Sequence, residues 1–277
     1  MKTLDNKVVV ITGAGSGIGR ALALDAAGRG ALLALSDVDE TGLAETVDLA
    51  KNHGAREVRA DRVDVADRAA FTAYAAAVAE HFGRVNVVVN NAGVALAGNL
   101  EELAYDDLDW IVGINFWGVV HGTKEFLPHL IASGDGHVVN LSSLFGLLSI
   151  PGQSAYNATK YAVRGFSEAL RQELLIAKHP VGVTVVHPGG IKTAIARNAR
   201  VTASEDKTAT ASTFDTKLAR MSPEKAAQVI IDGVLADKAR VLVGMDAHLL
   251  HNFAKFSGSR YQDVVARFAH RLMPRKR

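Results

Sequence analysis

Cysteine is absent from this chain of 277 residues. Its absence excludes disulfide bonds, thiolate nucleophiles and metal sites built on cysteine ligands. It also favours a cytoplasmic location, because disulfides belong to oxidising compartments. The residues before Val8 are mixed and polar, so we expect no secretory signal peptide.

An excess of either charge is also missing. Lys and Arg number 31 against 29 Asp and Glu, a net charge of +2 that argues against nucleic-acid binding. The longest stretch without charge, residues 136–159, carries many polar side chains and a proline, so no membrane span is expected. The ten histidines are dispersed without the spacing of a ligand set, so no metal site is expected.

Short β-branched runs alternate with longer stretches rich in alanine and leucine. This alternation predicts an α/β fold: a doubly wound, Rossmann-like parallel sheet of about seven strands with helices on both faces. Hydrophobic residues make up 48% of the chain, and we expect one domain over residues 1–277. The predicted strands are 8–11, 31–35, 57–62, 85–90, 137–141, 183–187 and 240–243. The predicted helices are 17–29, 41–53, 68–82, 106–132, 155–178 and 223–237.

Two segments depart from this alternation. Residues 194–221 are rich in Ala, Thr and Ser without a clear period, and such a long irregular connection predicts a substrate lid. Residues 246–277 form a C-terminal extension with apolar residues near helical spacing and a basic tip at 274–277. We expect a surface helix packed on the body or on a neighbouring subunit; membrane contact by this tail is the disfavoured alternative.

A glycine-rich turn directly follows the first predicted strand, with the sequence Thr12-Gly13-Ala14-Gly15-Ser16-Gly17-Ile18-Gly19. Glycines there permit a tight turn and let the backbone approach a pyrophosphate, whose charge is stabilised by the helix N-terminus. The spacing is Gly-x-x-x-Gly-x-Gly, and a merely tight strand–helix turn is the alternative. The position of the turn favours dinucleotide binding.

Asp37 ends the second predicted strand, 18 residues after Gly19. A carboxylate at this place can accept hydrogen bonds from the adenosine ribose hydroxyls of a dinucleotide. It would also repel the 2′-phosphate of NADP, and its neighbours Ser36 and Val38 are not basic. NAD is therefore the favoured cofactor, and a solvated acid at a strand end is the alternative.

Tyr156 is the one tyrosine of five that has a lysine four residues later, Lys160. On a helix this spacing places both side chains on one face. Bringing a phenol from a pKa near 10 to about 7 requires roughly 4 kcal/mol of stabilisation of the phenolate, which a nearby ammonium can supply. Taken alone, such a pair is common and is usually a surface contact.

Five motifs in order resemble the short-chain dehydrogenase/reductase family, in its compact single-domain branch. The resemblance covers about residues 5–245. It is carried by the turn at 12–19, Asn90-Asn91-Ala92-Gly93, Ser143, Tyr156-x-x-x-Lys160 and Pro188-Gly189-x-x-x-Thr193.

This resemblance implies four catalytic residues. Tyr156 would be the general acid/base, and Lys160 would lower its pKa and bind the nicotinamide ribose. Ser143 would orient the substrate oxygen, with Ser142 as the structural alternative. Asn115 would hold a water in the proton relay.

The resemblance also implies a site for NAD, with NADP less favoured. Asp64 and Val65 would lie against the adenine, and Asn90 with Gly93 beneath the cofactor. The carboxamide would be held by Pro188, Gly189, Ile191 and Thr193. The complete expected set is Gly13, Ser16, Gly17, Ile18, Gly19, Asp37, Asp64, Val65, Asn91, Ala92, Gly93, Tyr156, Lys160, Pro188, Gly189, Ile191 and Thr193.

These residues together predict an NAD-dependent oxidoreductase that interconverts a secondary alcohol and a ketone. An apolar pocket, and so a hydrophobic or cyclic substrate, is predicted from Val94, Leu96, Leu144, Phe145, Leu147 and Leu148. Family habit implies a homo-oligomer, a dimer or a homotetramer, packed through the helices that carry Asn115 and Tyr156. The alternative function is a dinucleotide-binding sensor or scaffold in which turnover is secondary.

Overall fold

The computed structural model describes residues 1–269 and contains two parallel sheets joined by helices. The first half of the chain forms β1 (Val8–Thr12), α1 (Gly17–Gly28), β2 (Leu32–Asp37), α2 (Glu40–Asn52), β3 (Val58–Arg62), α3 (Arg68–Phe82), β4 (Val87–Asn90), β5 (Leu96–Ala97), α4 (Tyr105–Val112) and α5 (Gly118–Ala132). The second half forms β6 (Gly136–Leu141), α6 (Ser154–Ile176), β7 (Val181–Pro188), β8 (Arg200–Val201), α7 (Lys207–Thr213), α8 (Pro223–Leu235), β9 (Arg240–Val243), α9 (Met245–Ser257) and α10 (Tyr261–Ala269).

The larger sheet has seven strands in the order β3-β2-β1-β4-β6-β7-β9. Every neighbouring pair is parallel. All seven predicted strands lie in this sheet, so the predicted doubly wound α/β fold is confirmed. The order reverses between β1 and β4, which opens a crevice at the carboxyl ends of these strands.

Helices cover both faces of the sheet because its central strands are apolar on both sides. In β1, Val9 and Ile11 belong to a core with α1 and α8, whereas Val10 belongs to a second core with α3, α5 and α6. Phe71 and Phe126 meet edge to face in the second core, with ring centroids 6.2 Å apart. The alternation within one strand thus divides the interior into two apolar layers.

One predicted helix, residues 106–132, is interrupted in the structure. α4 and α5 are joined by a π-helical turn over Gly113–Trp117, which adds a residue to one turn without ending the helix. Such insertions are uncommon and concentrate at functional sites. Periodicity along the sequence cannot reveal a single added residue, so the prediction of a regular helix here was incomplete.

The segment 194–221 is more ordered than its composition suggested. It contains β8, α7 and a second π-helical turn over Phe214–Leu218. β8 pairs in parallel with β5, and Ile191 forms an isolated bridge with Met221. The Arg200 guanidinium donates to Asp107 at 2.9 Å and lies 3.9 Å from the centroid of the Trp110 ring. The middle of the segment is therefore anchored to the loop and helix that follow β4.

The C-terminal extension forms two helices that pack near the loop after β6. Leu144 and Leu148 share a core with Ala247, Ala254 and Tyr261. This supports the predicted packing of the extension on the body. The basic tip at 274–277 lies outside the described residues. Within residues 1–269 no helix is long and apolar enough to cross a bilayer.

Gly122 of α5 offers a test of how closely the helices approach the sheet. A Cβ at Gly122 would overlap the amide oxygen of Asn90 and lie 3.2 Å from the Phe71 ring. We expect Gly122→Ala to reduce the free energy of unfolding by about 1–3 kcal/mol, because overpacking outweighs the gain in helix propensity. Urea unfolding followed by circular dichroism measures the change.

The matched control is Gly28→Ala at the end of α1, where an added Cβ meets nothing within 4 Å. It should leave stability unchanged or raise it by up to about 1 kcal/mol. Equal effects of the two substitutions would contradict the close packing of α5 on β4.

Candidate active site

The glycine turn at the carboxyl end of β1 lies against the segment that follows β4. Gly13 and Gly17 have φ values of +65° and +55°, which favour glycine. A Cβ at Gly13 would lie 2.7 Å from the Cα of Ala92, and one at Gly19 would overlap the carbonyl oxygen of Gly13. The backbones of the two segments therefore touch only because side chains are missing.

Hydrogen bonds hold this contact in place. The Asn91 amide donates to the carbonyl oxygens of Thr12 and Gly13 at 2.9 and 3.0 Å. The Thr12 hydroxyl accepts from the backbone amides of Asn91 and Ala92, both at 3.1 Å. Asn90, by contrast, donates to Thr123 and Asn140 inside the body, so its side chain braces the sheet beneath the site.

The N-terminus of α1 opens onto this turn. The first bond within the helix runs from the Arg20 amide to the Ser16 carbonyl, so the amides of Gly17, Ile18 and Gly19 precede the helical bonding pattern. In residues 1–269 no side-chain hydrogen bond caps this helix at Ser16. Free amides and the positive end of the helix dipole form a binding place for a phosphate group.

Asp37 lies beside the same turn. Its Oδ2 accepts from the Gly15 amide at 2.7 Å, and its Oδ1 accepts from the Asp39 amide at 3.0 Å. The sheet also places Arg62 of β3 opposite Asp37 of β2. Arg62 is an exposed cation near Glu40, and it is not among the sequence neighbours of Asp37. Arg20, in the same region, is bound to Glu45 and to backbone carbonyls.

The remaining expected cofactor residues lie at the same edge of the sheet. Asp64 is exposed just after β3, and Val65 is buried against α5 at Gly118. After β7, Ile191 is buried, and the Thr193 side chain reaches within 3.2 Å of the Cβ position of Gly17. The glycine cradle, the uncapped helix and the acid at the end of β2 together fit an elongated ligand with a phosphate at its centre.

Tyr156 and Lys160 lie on the first turns of α6 and are both buried, at 8% and 5% exposure. The Lys160 ammonium lies 5.6 Å from the centroid of the Tyr156 ring and donates to the Leu141 carbonyl at 3.1 Å. A Cβ on Gly93 would lie 3.4 Å from this ammonium, which connects the glycine edge to the tyrosine. The pair is therefore internal, and the surface alternative is wrong.

Burial dominates the electrostatics of the pair. It raises the pKa of Tyr156, and a hydrogen bond with Ser143 acts in the opposite direction. Burial lowers the pKa of Lys160 to about 8, because the charged ammonium loses its water. In the protein without cofactor, burial outweighs the Ser143 hydrogen bond, so the net shift of the Tyr156 pKa is upward.

Ser143 and its neighbour Ser142 have different partners. The Ser142 hydroxyl donates to the Lys160 carbonyl at 2.8 Å and so holds α6 to the end of β6. Ser143 bonds Tyr156 and accepts from the Phe145 amide at 3.1 Å. The Nδ1 of buried His187 donates to the Ser143 carbonyl at 2.8 Å, a backbone support that sequence patterns did not reveal.

Asn115 lies in the π-helical turn and is fully buried. Its side chain accepts from the Val94 amide at 2.8 Å and donates to the Val94 carbonyl at 2.9 Å. A Cβ on Gly93 would lie 3.3 Å from its Oδ1. The structure therefore brings Asn115 to the same place as Lys160, between the segment after β4 and α6.

Five of the six apolar residues predicted around the site divide into two groups, and the sixth, Leu147, is buried but belongs to neither. Leu96 packs with Tyr156, and Val94 and Phe145 lie against them. Leu144 and Leu148 instead pack on α9 and α10. Only the first group forms an apolar wall beside the tyrosine hydroxyl-bearing ring, while the second supports the catalytic loop from behind.

Known proteins are similar in sequence to this chain. A family model described as short chain dehydrogenase matches residues 7–204. SadH of Mycobacterium tuberculosis, which carries the general name of an oxidoreductase, is 58% identical over 274 residues, 99% of each chain. Epidermal retinol dehydrogenase 2 of Mus musculus is 35% identical over 238 residues, covering 86% of this chain and 74% of its own length.

Solved structures agree with these matches. A short-chain dehydrogenase/reductase from Burkholderia phymatum, in complex with NAD, aligns with a TM-score of 0.87 at 33% identity, covering 95% of this chain and 97% of its own. The chain belongs to the short-chain dehydrogenase/reductase family. It is accordingly an oxidoreductase that acts on CH–OH groups.

The buried ammonium of Lys160 has a measurable effect on stability. Its pKa is about 8 in the folded protein and 10.5 in the ordinary lysine, so between these values the unfolded chain binds more protons. Stability from this site therefore rises with pH across that window. We expect the advantage of Lys160→Met over the parent in unfolding free energy to shrink by about 3 kcal/mol from pH 8 to pH 10.5.

Urea unfolding of both proteins at several pH values measures this difference. The control is Lys124→Met on α5, whose side chain is exposed and has no desolvation cost to relieve. A difference between Lys160→Met and the parent that stays constant with pH would show that the ammonium is solvated.

Proposed function

We propose that this protein is an NAD-dependent oxidoreductase that interconverts a secondary alcohol and a ketone. The observation that carries the proposal is the buried group of Ser143, Tyr156 and Lys160. The tyrosine hydroxyl is hydrogen-bonded to the serine, and the lysine ammonium lies 5.6 Å from the centroid of the tyrosine ring. A binding module has no need of three buried polar side chains beside an apolar wall. This favours the enzyme over the sensor or scaffold alternative.

Each residue of the site has a separate role at the reacting carbon of the substrate. The bound cofactor supplies hydride exchange, and the protein manages one proton and the charge on oxygen. Tyr156 exchanges that proton with the substrate hydroxyl, and Ser143 donates a hydrogen bond to the substrate oxygen. Lys160 would bind the nicotinamide ribose, and its ammonium together with the positive charge of an oxidised nicotinamide would favour the phenolate. Asn115 holds the water of the proton relay.

The cofactor would be held along the edge from β2 to β7. The amides of Gly17, Ile18 and Gly19 would bind the pyrophosphate. Asp37 would accept from the adenosine ribose hydroxyls, and Asp64 with Val65 would flank the adenine. The contacts of the nicotinamide half would come from Asn91, Ala92, Gly93, Pro188, Gly189, Ile191 and Thr193. NAD in the related Burkholderia structure supports this cofactor class.

The substrate side favours a hydrophobic or cyclic molecule. Val94, Leu96 and Phe145 present apolar surface at Tyr156, and the segment 194–221 would close over it as a lid. The name of the murine relative, a retinol dehydrogenase, supports an apolar alcohol as the substrate class.

We also infer a cytoplasmic homo-oligomer, a dimer or a tetramer. The lack of cysteine supports the compartment. Exposed Tyr105 and Trp117, on α4 and the π-helical turn, support an interface on the helices that carry the catalytic residues.

Tyr156→Phe tests the function directly. Removing the hydroxyl abolishes the proton step, so we expect turnover to fall by about 10³-fold. NADH affinity should stay within about twofold, since the phenyl ring remains. Activity is measured by NADH absorbance on a panel of sterols and other cyclic secondary alcohols and ketones, and binding by NADH fluorescence.

Tyr74→Phe, at a buried position on α3 in the second core, is the control and should retain full activity. Retained turnover in Tyr156→Phe would contradict the mechanism. NADH binding without turnover on any of the panel by the parent protein would favour the sensor or scaffold.

Cofactor choice depends on the carboxylate of Asp37 and on Arg62 opposite it. We expect Asp37→Ser to lower kcat/KM with NAD by about tenfold and to raise it with NADP, because a charge-assisted hydrogen bond and a repulsion disappear together. Adding Arg62→Ala should remove the gain with NADP.

Asp48→Ser, an exposed acid on α2, is the control and should change neither value. A parent enzyme that prefers NADP would contradict the role of Asp37 and would assign the 2′-phosphate to Arg62.

A further inference from the structure

The first turn of α9 contacts the turn that follows β7. The Gly190 amide donates to Oδ2 of Asp246 at 2.6 Å. β7 and β9 are neighbours, with Pro188 opposite Val243, and the Gly189 amide donates to the Val243 carbonyl at 2.8 Å. The start of the C-terminal extension thus lies beside the residues expected to hold the nicotinamide carboxamide.

The carboxylate of Asp246 fills the space that two missing side chains leave. A Cβ on Gly189 would overlap both carboxylate oxygens, and one on Gly244 would overlap Oδ1. Gly244 also has a φ of +104°, which lets the chain turn from β9 into α9 so that Asp246 faces β7. The two glycines and the acid therefore form one closely packed unit.

The other side of the Gly190 peptide is held by the end of the segment 194–221. The Gly190 carbonyl oxygen accepts hydrogen bonds from the backbone amides of Arg220 and Met221, at 3.0 and 3.3 Å. A Cβ on Gly190 would overlap the Leu218 carbonyl. The Gly190 peptide is consequently clamped between α9 and the proposed lid.

We propose that Asp246 is a positioning residue for the nicotinamide site. Two consecutive glycines have wide conformational freedom, and a bond from one of their amides to a carboxylate restricts it strongly. The carboxylate sets the shape of residues 188–191, and through Gly190 it sets the end of the lid. This inference rests on the proposed function, which assigns these residues to the carboxamide.

The proposal gives the C-terminal extension a role in the reaction. α9 is fixed to the loop of Ser143 through the contact of Ala247 with Leu144 and Leu148. Asp246, one residue before Ala247, is fixed to the turn after β7. The helix therefore holds the serine loop and the carboxamide turn at a constant separation, although none of its residues is placed in contact with substrate.

Two substitutions separate the hydrogen bond from the charge. Asp246→Asn keeps an oxygen acceptor at nearly the same volume, whereas Asp246→Leu removes the acceptor and has a larger side chain. In the protein without cofactor, we expect the Gly190 amide to exchange hydrogen for deuterium about tenfold faster in the Leu variant, the size of effect that loss of one hydrogen bond gives. The Asn variant should exchange at the parent rate.

Cofactor binding should follow the same order. NADH affinity, measured by fluorescence, should fall about tenfold in Asp246→Leu, and KM for NAD should rise by a similar factor with a smaller change in kcat. The Asn variant should restore both values to within about threefold. Asp246→Ala, which removes the acceptor without adding volume, should show the same losses, and this distinguishes the missing hydrogen bond from overpacking by Leu.

Asp263→Asn, an exposed acid on α10, is the control for loss of charge in the extension. Unchanged exchange at Gly190 and unchanged NADH affinity in the Leu variant would overturn the positioning role, even with Tyr156→Phe inactive as expected. Failure of the parent to bind NADH would instead contradict the proposed function. Equal losses in the Asn and Leu variants would also overturn the inference, since charge and not the acceptor would then matter.

Discussion

The contact between the glycine turn after β1 and the backbone after β4 determines the rest of this site. At Gly13 and Gly19 the approach leaves no room for a Cβ, and Thr12 with Asn91 fixes it by four hydrogen bonds. Because the two strands lie side by side where the sheet order reverses, this contact forms the floor of the crevice. The free amides of α1 lie on one side of this contact, and the ammonium of Lys160 lies on the other.

Tyr156 and Lys160 are buried before any ligand binds, and this burial determines how they respond to an added charge. Water is excluded from both groups, so the ammonium is held at a cost and the phenol resists ionisation. Where water is excluded the effective dielectric constant is low, so the interaction between two charges is stronger than in water. The same burial that opposes the phenolate in the free protein would therefore strengthen its stabilisation once a cationic ring lies nearby.

The fold, and the positions of the motifs that meet at the candidate site, could be predicted from the sequence because their signals are local. Apolar runs such as 8–11 identify buried strands. The glycine turn is one short motif, and Tyr156 and Lys160 form another, four positions apart on one helix. Arg62, His187 and Asp246 could not be found in this way. Each acts on a partner tens of residues distant, through strand register or helix placement that only the folded chain defines. The two-residue strands β5 and β8 are likewise too short to produce a pattern.

The π-helical turn at Gly113–Trp117 determines the direction in which Asn115 faces. An added residue rotates one half of a helix against the other, so Asn115 can face the segment after β4 while Gly118 and Gly122 remain packed on Val65 and Asn90. Deleting one residue there would restore regular helical bonding and would turn Asn115 away from Val94. The turn thus gives up regular helical bonding over one residue, and in exchange Asn115 forms two hydrogen bonds with the backbone of Val94.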